Sequence, residues 1–223
     1  SYGVSVITGA GLKEIKEGTA VYTKNGEEDT LDGDAILLAT GRGPNTEGLH
    51  AERAGVELTK RGAVVTDKHL RTTAENIWAA GDVCGNLQFT YISLDDSRII
   101  LSDMQGDGSR TTENRGAFAY SVFMEPSFSR AGLSEKEAAD KGLNYRVVRM
   151  NTDMIPKAKV LRKTAGMLKA VIDKDSGKIL GAALFCPESY EIINMVKLAM
   201  DHDLDYTVLR DFIYTHPTMS EGL

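Results

Sequence analysis

Residues 72–83 read TTAENIWAAGDV, and this stretch decides which class of fold the chain adopts. Residues 77–80 form a short apolar run, as expected for a buried strand, and Gly81 gives the backbone freedom to turn tightly. Asp82 is then placed where the carboxyl end of a strand meets a ligand crevice in an open α/β sheet. A carboxylate in that position can accept hydrogen bonds from the hydroxyls of a sugar alcohol. The alternative interpretation is an ordinary buried strand that ends in a polar turn.

Composition and charge narrow the possible function classes. The 223 residues are 42% hydrophobic, which is enough for one or two real cores. A formal net charge of -6 repels phosphate backbones, and no basic stripe is interleaved with aromatic residues, so we expect no nucleic-acid partner. No apolar run approaches the ~18 residues that cross a bilayer, and the first residues lack a signal pattern, so we expect no membrane association.

The cysteines and histidines are few and scattered. Cys84 and Cys186 lie far apart and outside any C-x-x-C spacing, which excludes a disulfide scaffold and favours a reducing, cytoplasmic location. Each adjoins an apolar run, so both are expected to be inert packing thiols. The four histidines show no zinc or iron-sulfur spacing, and we expect no metal site.

The first 45 residues are typical of a β-meander followed by a buried strand. Short strands are predicted at 4–8, 12–17, 20–24 and 28–31, with a hairpin turn at Asn25-Gly26. Residues 34–40, in which residues 35–39 are all aliphatic, predict a buried strand, followed by the turn GRGPN at 41–45. A phosphate-binding loop in that turn is disfavoured, because Pro44 follows the second glycine and Thr46 replaces the third.

The remainder predicts a helix, a polar linker and then an α+β unit. The helix covers residues 90–104, and the Gly-, Asp-, Ser- and Thr-rich residues 103–116 mark the main domain boundary. A capping box of Ser134 and Glu137 opens a helix over 135–141, and Asp205 is a candidate N-cap for a short helix that ends at residue 211. The other predicted elements are strands at 120–124, 145–150, 167–173 and 178–185 and an amphipathic helix at 189–202.

The tail reads THPTMSE over residues 215–221 and combines an imidazole with a carboxylate. A carboxylate beside His216 fixes the ring tautomer, and the ring can then take a proton from a thiol or return one to a departing thiolate. Glu221 is the candidate partner, five residues further on. The alternative interpretation is a turn or helix cap in which both groups are merely satisfied.

Taken together, T-x4-I-W-A-A-G-D-V and H-P-T-x-x-E resemble the pyridine nucleotide-disulfide oxidoreductases, which include dihydrolipoamide dehydrogenase, glutathione reductase and mercuric reductase. The resemblance covers the whole chain. Four segments are similar to one branch in particular, the reactive-chlorine-resistance flavoenzymes, also described as hypothiocyanous acid reductases. These segments are LQFTYISLDD at 87–96, YSVFM-x-P at 120–126, IPKAKV at 155–160 and THPTMSE at 215–221.

The resemblance implies FAD and NAD(P)H as cofactors, a homodimer, and a small-molecule oxidant as substrate. Asp82, after Gly81, would bind the ribitol of FAD, and Phe89 and Thr90 would lie beside the flavin ring. A helix that begins near Thr90 suits the electron-rich pyrimidine edge of that ring, because its first N–H groups are free and its dipole is positive there. His216 and Glu221 would form an acid-base dyad that reaches into the active site of the partner subunit.

The family also begins with a G-x-G-x-x-G turn, a C-x4-C redox disulfide and a second glycine-rich turn, and the sequence contains none of these. We therefore expect a carboxyl-terminal portion, with fold class α/β plus α+β. Residues 1–40 would end the NAD(P)-binding domain, residues 41–114 would be the returning FAD-domain segment with its linker, and residues 115–223 would be an α+β dimerisation domain with an antiparallel sheet.

Three functional interpretations stay open at this stage. The first is part of an FAD-dependent NAD(P)H:disulfide-type oxidoreductase that reduces a small oxidant such as hypothiocyanous acid. The second is an enzyme like dihydrolipoamide dehydrogenase or mercuric reductase. The third is a dimerisation module that is inactive as an isolated fragment.

Overall fold

The computed structural model describes residues 3–223. The chain divides into two compact units, which meet in sequence between Pro44 and Asn45. The division falls in the GRGPN turn. The three domains expected at 1–40, 41–114 and 115–223 stay a prediction about the longer protein.

The first unit contains a three-stranded antiparallel sheet, which confirms the β-meander. Its strands are β1 (Ala10–Lys16), β2 (Thr19–Lys24) and β3 (Glu27–Asp32), in the order β1-β2-β3. Asn25 and Gly26 both have positive φ and join Lys24 to its partner Glu27. This two-residue turn matches the twist of the flanking strands, as the Asn-Gly pair predicts.

Two strands expected in this unit are wrong. Residues 4–8 and 34–40 form no strand, and the apolar side chains of Val6 and Leu37 are mostly exposed, Leu37 by 89%. A strand is stable only when neighbouring strands satisfy its N–H and C=O groups and its side chains are covered. Among the described residues, no strand lies beside either segment.

The second unit begins with loops, two 3-10 helices and one long helix. The 3-10 helices are Ala51–Ala54 and Gly81–Cys84, and the long helix is α1 (Thr90–Gln105), as expected from the sequence. Two small apolar clusters hold this part together. Their buried members are Ala51, Val56 and Val64 in one cluster and Leu70, Cys84 and Ile99 in the other.

The buried strand expected at residues 77–80 is also wrong. Trp78 makes a single antiparallel bridge to Arg71, Ile77 is exposed, and Trp78 is half-buried. The Trp78 indole N–H donates to the Asp103 carboxylate at 2.8 Å. The segment is therefore one arm of a tight loop that a side-chain hydrogen bond fastens to α1, and it is not part of a sheet.

The rest of the second unit is a five-stranded antiparallel sheet with helices. The strand order is β4-β5-β8-β7-β6. The strands are β4 (Ala119–Val122), β5 (Phe128–Gly132), β6 (Tyr145–Asn151), β7 (Met167–Asp173) and β8 (Ile179–Phe185). The helices are α2 (Glu135–Asp140), α3 (Pro156–Leu161), α4 (Ser189–Asp201) and α5 (Tyr206–Arg210). Strand β5 and helix α3 were not expected from the sequence.

Helix α4 supplies the centre of the main core. Ile192, Ile193, Val196 and Ala199 are buried on one face of α4 and pack with sheet residues such as Leu184. The apolar stripe read from the sequence is thus core, as period 3.6 predicts. Both expected caps form, because Ser134 and Glu137 bond reciprocally and the Asp205 side chain accepts the N–H of Thr207.

Within residues 3–223, no helix is both long enough and apolar enough to cross a membrane. The same residues contain no group of three or more His, Cys, Asp or Glu side chains placed to hold a metal ion.

Candidate functional site

The imidazole of His216 and the carboxylate of Glu221 are in direct contact. His216 Nδ1 lies 2.9 Å from Glu221 Oε2. The histidine side chain is 68% exposed, whereas that of Glu221 is only 15% exposed. The carboxylate is thus fixed within the fold, and the ring projects from it toward solvent.

Buried neighbours hold Glu221 in place. Met219 is buried in the main core, and Gly222 lies against the side chain of Ile155. The Thr218 N–H donates to the second carboxylate oxygen of Glu221 at 3.3 Å, and the Thr218 hydroxyl donates to the carbonyl of Thr215 at 2.8 Å. The tail therefore folds into a compact turn around the carboxylate.

This arrangement determines which ring nitrogen of His216 can do chemistry. A proton on Nδ1 is donated to Glu221, and Nε2 then carries the lone pair and faces away from the carboxylate. An imidazole held in this tautomer can accept a proton at Nε2 and return it. The predicted pair is therefore formed, with geometry suited to acid-base chemistry.

The second group of predicted residues surrounds the start of α1. Gly81 has a φ of 74°, and a Cβ at this position would lie 2.7 Å from the Ser93 hydroxyl oxygen. Only glycine fits this close approach between the turn and the helix. Asp82 follows Gly81 and is exposed at the start of the 3-10 helix.

Phe89 and Thr90 lie at the N-terminus of α1. Phe89 occupies the N-cap position without a capping side-chain hydrogen bond, and the first turn contains no acidic residue. The N-terminal N–H groups and the positive end of the helix dipole suit an electron-rich ligand oxygen. The Phe89 ring is half-buried among Tyr91, Phe118 and Tyr120, and Thr90 is exposed.

Sequence reasoning missed the buried charges behind this turn. The Gly81 N–H donates to Asp96 Oδ2 at 2.8 Å, and Asp96 in turn accepts from Arg115 Nη2 at 2.6 Å. The pair Asp95-Asp96 gave no sign of this role, because acidic residues on a helix are usually solvated. Only a polar residue at a core-facing position of α1, next to Ile92 and Ile99, could have drawn attention to Asp96.

The two cysteines are buried free thiols, as expected. Burial is the main cause that raises the pKa of the Cys84 thiol to about 11, and it does the same for Cys186. Both side chains are thus protonated and unreactive near neutral pH.

Comparisons with known proteins define the class of this fold. Residues 118–223 match the family model for the dimerisation domain of pyridine nucleotide-disulphide oxidoreductases, and residues 1–97 match the model for pyridine nucleotide-disulphide oxidoreductase. LpdA from Mycobacterium tuberculosis shares the fold, with a TM-score of 0.83 at 24% identity over 98% of this chain and 48% of that chain. The class is that of the disulfide oxidoreductases.

More similar relatives lead to the family. The "Probable pyridine nucleotide-disulfide oxidoreductase RclA" of Escherichia coli (strain K12) is 48% identical over 99% of this chain and 50% of its own length. Mercuric reductase of Staphylococcus aureus is 34% identical over 99% of this chain and 41% of its own length. The solved structure of the HOCl-induced flavoprotein disulfide reductase RclA from Escherichia coli has a TM-score of 0.84 and 47% identity, over 93% of this chain and 47% of that one.

The chain belongs to the pyridine nucleotide-disulfide oxidoreductase family. It spans about half the length of the curated relatives that it matches. The resemblance read from the GDV and HPT-x-x-E motifs is confirmed, and so is the similarity to the reactive-chlorine branch.

Proposed function

We propose that this chain is the carboxyl-terminal portion of an FAD-dependent NAD(P)H:disulfide-type oxidoreductase that works as a homodimer in the cytoplasm. The observation that carries the proposal is the His216–Glu221 pair, with its anchored carboxylate and exposed ring. Asp82, Gly81, Phe89 and Thr90 are the proposed FAD-binding residues. The substrate is a small oxidant such as hypothiocyanous acid.

The residues around α1 fit FAD. The exposed carboxylate of Asp82 can accept hydrogen bonds from ribitol hydroxyls, and the N-terminus of α1 offers N–H groups to the pyrimidine oxygen of the ring. The closeness of Gly81 to Ser93 keeps the Asp82 turn against this helix end. When bound, FAD would accept a hydride from the nicotinamide and pass two electrons to a disulfide.

The dyad would transfer a proton to or from a sulfur atom of the reacting thiol. When a thiolate leaves, the proton moves from Nε2 of the His216 imidazolium to the sulfur, and the products are a thiol and a neutral imidazole. Glu221 accepts the hydrogen bond from Nδ1 and holds the ring in the productive tautomer. In the reverse direction, Nε2 removes the proton from a thiol.

Neither buried cysteine of this chain can supply the disulfide on which the dyad would act. We propose that this disulfide lies on a second subunit, as the resemblance to the family implies. Apolar side chains that shortly precede the dyad in the sequence support a two-fold interface around residues 202–216. Val208, Phe212 and Ile213 are all exposed, Ile213 by 93%. An apolar surface of this kind is usually covered by a partner.

One observation favours inactivity of the chain by itself. The apolar run at residues 34–40 is exposed and forms no strand. We propose that strands elsewhere in the intact protein cover it and complete the NAD(P)-binding domain. As an isolated polypeptide, the chain would then be an interface module that retains little or no FAD.

Measurements on the intact protein and on the isolated chain test these proposals. The intact protein should purify yellow, reduce its flavin with NAD(P)H, and turn over hypothiocyanous acid faster than a lipoamide or Hg(II) substrate. Faster turnover of either comparison substrate would instead favour the dihydrolipoamide dehydrogenase-like or mercuric reductase-like function. The isolated 223-residue chain should be colourless, and a strictly monomeric intact protein at high concentration would contradict the shared active site.

A further inference from the structure

We propose that the ion pair of Asp96 and Arg115 is a positioning device for the flavin-binding turn at Gly81 and Asp82. The inference rests on the proposed function, because it assigns these two residues to the FAD site of that enzyme. Neither residue would touch the reacting atoms. Both would act through the backbone of the turn.

The first observation is the hydrogen bond at the turn itself. The Gly81 N–H donates to Asp96 Oδ2 at 2.8 Å, and both groups are buried. Asp96 lies on α1, so this bond ties the turn to the helix. Because Gly81 immediately precedes Asp82, the bond fixes the direction in which the Asp82 carboxylate leaves the backbone.

The second observation is how Asp96 is compensated. Asp96 is only 3% exposed, and an ionised carboxylate buried to this extent is strongly disfavoured without a charged partner. Arg115 Nη2 supplies that partner at 2.6 Å, while Arg115 Nε lies 3.3 Å from Asp95 Oδ2. The arginine thus joins two neighbouring carboxylates on α1.

The third observation is where Arg115 comes from. It lies between the 3-10 helix Thr112–Asn114 and strand β4, in the segment that leads from α1 to the five-stranded sheet. The same segment is fastened to α1 by the ion pair of Arg110 with Asp95. The Thr112 N–H also donates to the carbonyl oxygen of Lys68. The flavin-binding turn and the connection to the dimerisation sheet therefore share one buried ion pair.

Arg115→Ala in the intact protein is the direct test. Loss of the guanidinium leaves the Asp96 carboxylate buried and unpaired, so we expect the Gly81 turn to move and FAD to bind at least about tenfold more weakly, which corresponds to about 1.4 kcal/mol. Arg115→Lys keeps the charge and should restore most of the affinity. Arg98→Ala is the matched control, since it removes an arginine from an exposed site on α1 and should leave FAD binding unchanged.

Cys84 provides a second measurement that needs no flavin. It ends the 3-10 helix that begins at Gly81, and it is buried. The charge of Arg115 lowers the pKa of Cys84, whereas burial and the charge of Asp96 raise it. By electrostatics alone, Arg115→Ala should therefore slow alkylation of Cys84 by iodoacetamide. Faster alkylation of Cys84 with an unchanged rate at buried Cys186 therefore reports loss of packing at the turn, whereas faster alkylation of both thiols reports general loss of stability.

The outcomes separate the inference from the function on which it rests. Weaker FAD binding together with faster Cys84 alkylation, both restored by Arg115→Lys, supports the inference. Unchanged FAD affinity in Arg115→Ala overturns it, and so does lost affinity with an unchanged alkylation rate. If the unaltered protein holds no flavin, the proposed function fails, while Cys84 alkylation still decides whether the ion pair holds the turn. Should Arg115→Ala not fold, Asp96→Asn is tested by FAD affinity, which should also fall, and unchanged affinity would overturn the inference. The Cys84 alkylation rate is not used for this variant, because loss of the Asp96 charge by itself lowers the pKa of Cys84.

Discussion

Replacing Glu221 with glutamine should slow the proton-transfer half of the proposed reaction without affecting the flavin half. The substitution keeps the size of the side chain and an oxygen that can accept from His216 Nδ1, so the 2.9 Å contact can persist without its charge. A hydrogen bond to a charged group contributes roughly 1.5–3 kcal/mol, and a neutral one roughly 0.5–1.5 kcal/mol. The difference of about 1–1.5 kcal/mol predicts an approximately tenfold slower step.

Replacing His216 with alanine should have a larger effect. This change removes the proton carrier itself, and positioned acid-base groups contribute roughly 100- to 10,000-fold. His216→Ala combined with Glu221→Gln should be no slower than His216→Ala alone, because the carboxylate acts only through the ring.

Stopped-flow absorbance of the flavin separates the two half-reactions in the intact enzyme. Anaerobic mixing with NAD(P)H measures reduction, and mixing the reduced enzyme with the oxidant measures the return. We expect reduction to stay within about twofold of the unaltered rate in every variant, since the dyad takes no part in that step. Equal slowing of both half-reactions, or a Glu221→Gln variant slower than His216→Ala, would refute the dyad.

Three further predictions concern stability and thiol chemistry. The pKa of Glu137 is lowered from 4.5 to about 2, first by the Ser134 backbone N–H, then by the Ser134 side chain and Arg130. Glu137 should therefore stabilise the fold at pH values above 4.5, and this stabilisation should be lost as the pH falls toward 2. In chemical denaturation as a function of pH, Glu137→Gln should flatten this part of the stability profile. Cys84 and Cys186, each with a pKa raised to about 11, should resist a thiol reagent at pH 8 until denaturant is added, and rapid native labelling of either would contradict their burial. A Cβ on Gly181 would lie 2.0 Å from the Leu133 carbonyl oxygen, so Gly181→Ala should lower the Tm markedly. A Cβ on Gly142 would meet no atom within 4 Å, so Gly142→Ala should cost only about 1 kcal/mol of stability for the positive φ.

Local sequence signals correctly predicted the elements that local interactions specify. The Asn25-Gly26 turn, the Ser134–Glu137 capping box and the Asp205 cap each depend on residues within a few positions of one another. The His216–Glu221 contact belongs to the same group, because five residues of tail and a single turn bring the two side chains together. Such features need little help from the rest of the fold.

Apolar runs predicted strands less well, because an apolar run indicates only that its side chains are favoured in a buried environment. Residues 34–40 and 77–80 have the composition of buried strands, but neither forms one. Whether such a run becomes a strand depends on neighbours that supply hydrogen bonds and cover the side chains. Strand β5 shows the converse, since its two polar and two small residues form a strand between β4 and β8.

The sequence alone determined the family, the contact between His216 and Glu221, the turn at Gly81 and the amphipathic α4, because each depends on residue identity at short spacing. Only the tertiary structure decided which charged groups pack against the turn at Gly81. Arg115 and Asp96 are 19 residues apart, and their pairing with the Gly81 N–H requires α1, the turn and the segment before β4 to meet. A buried charge is stable only where the fold brings its partner to it, and no spacing in the sequence records that meeting.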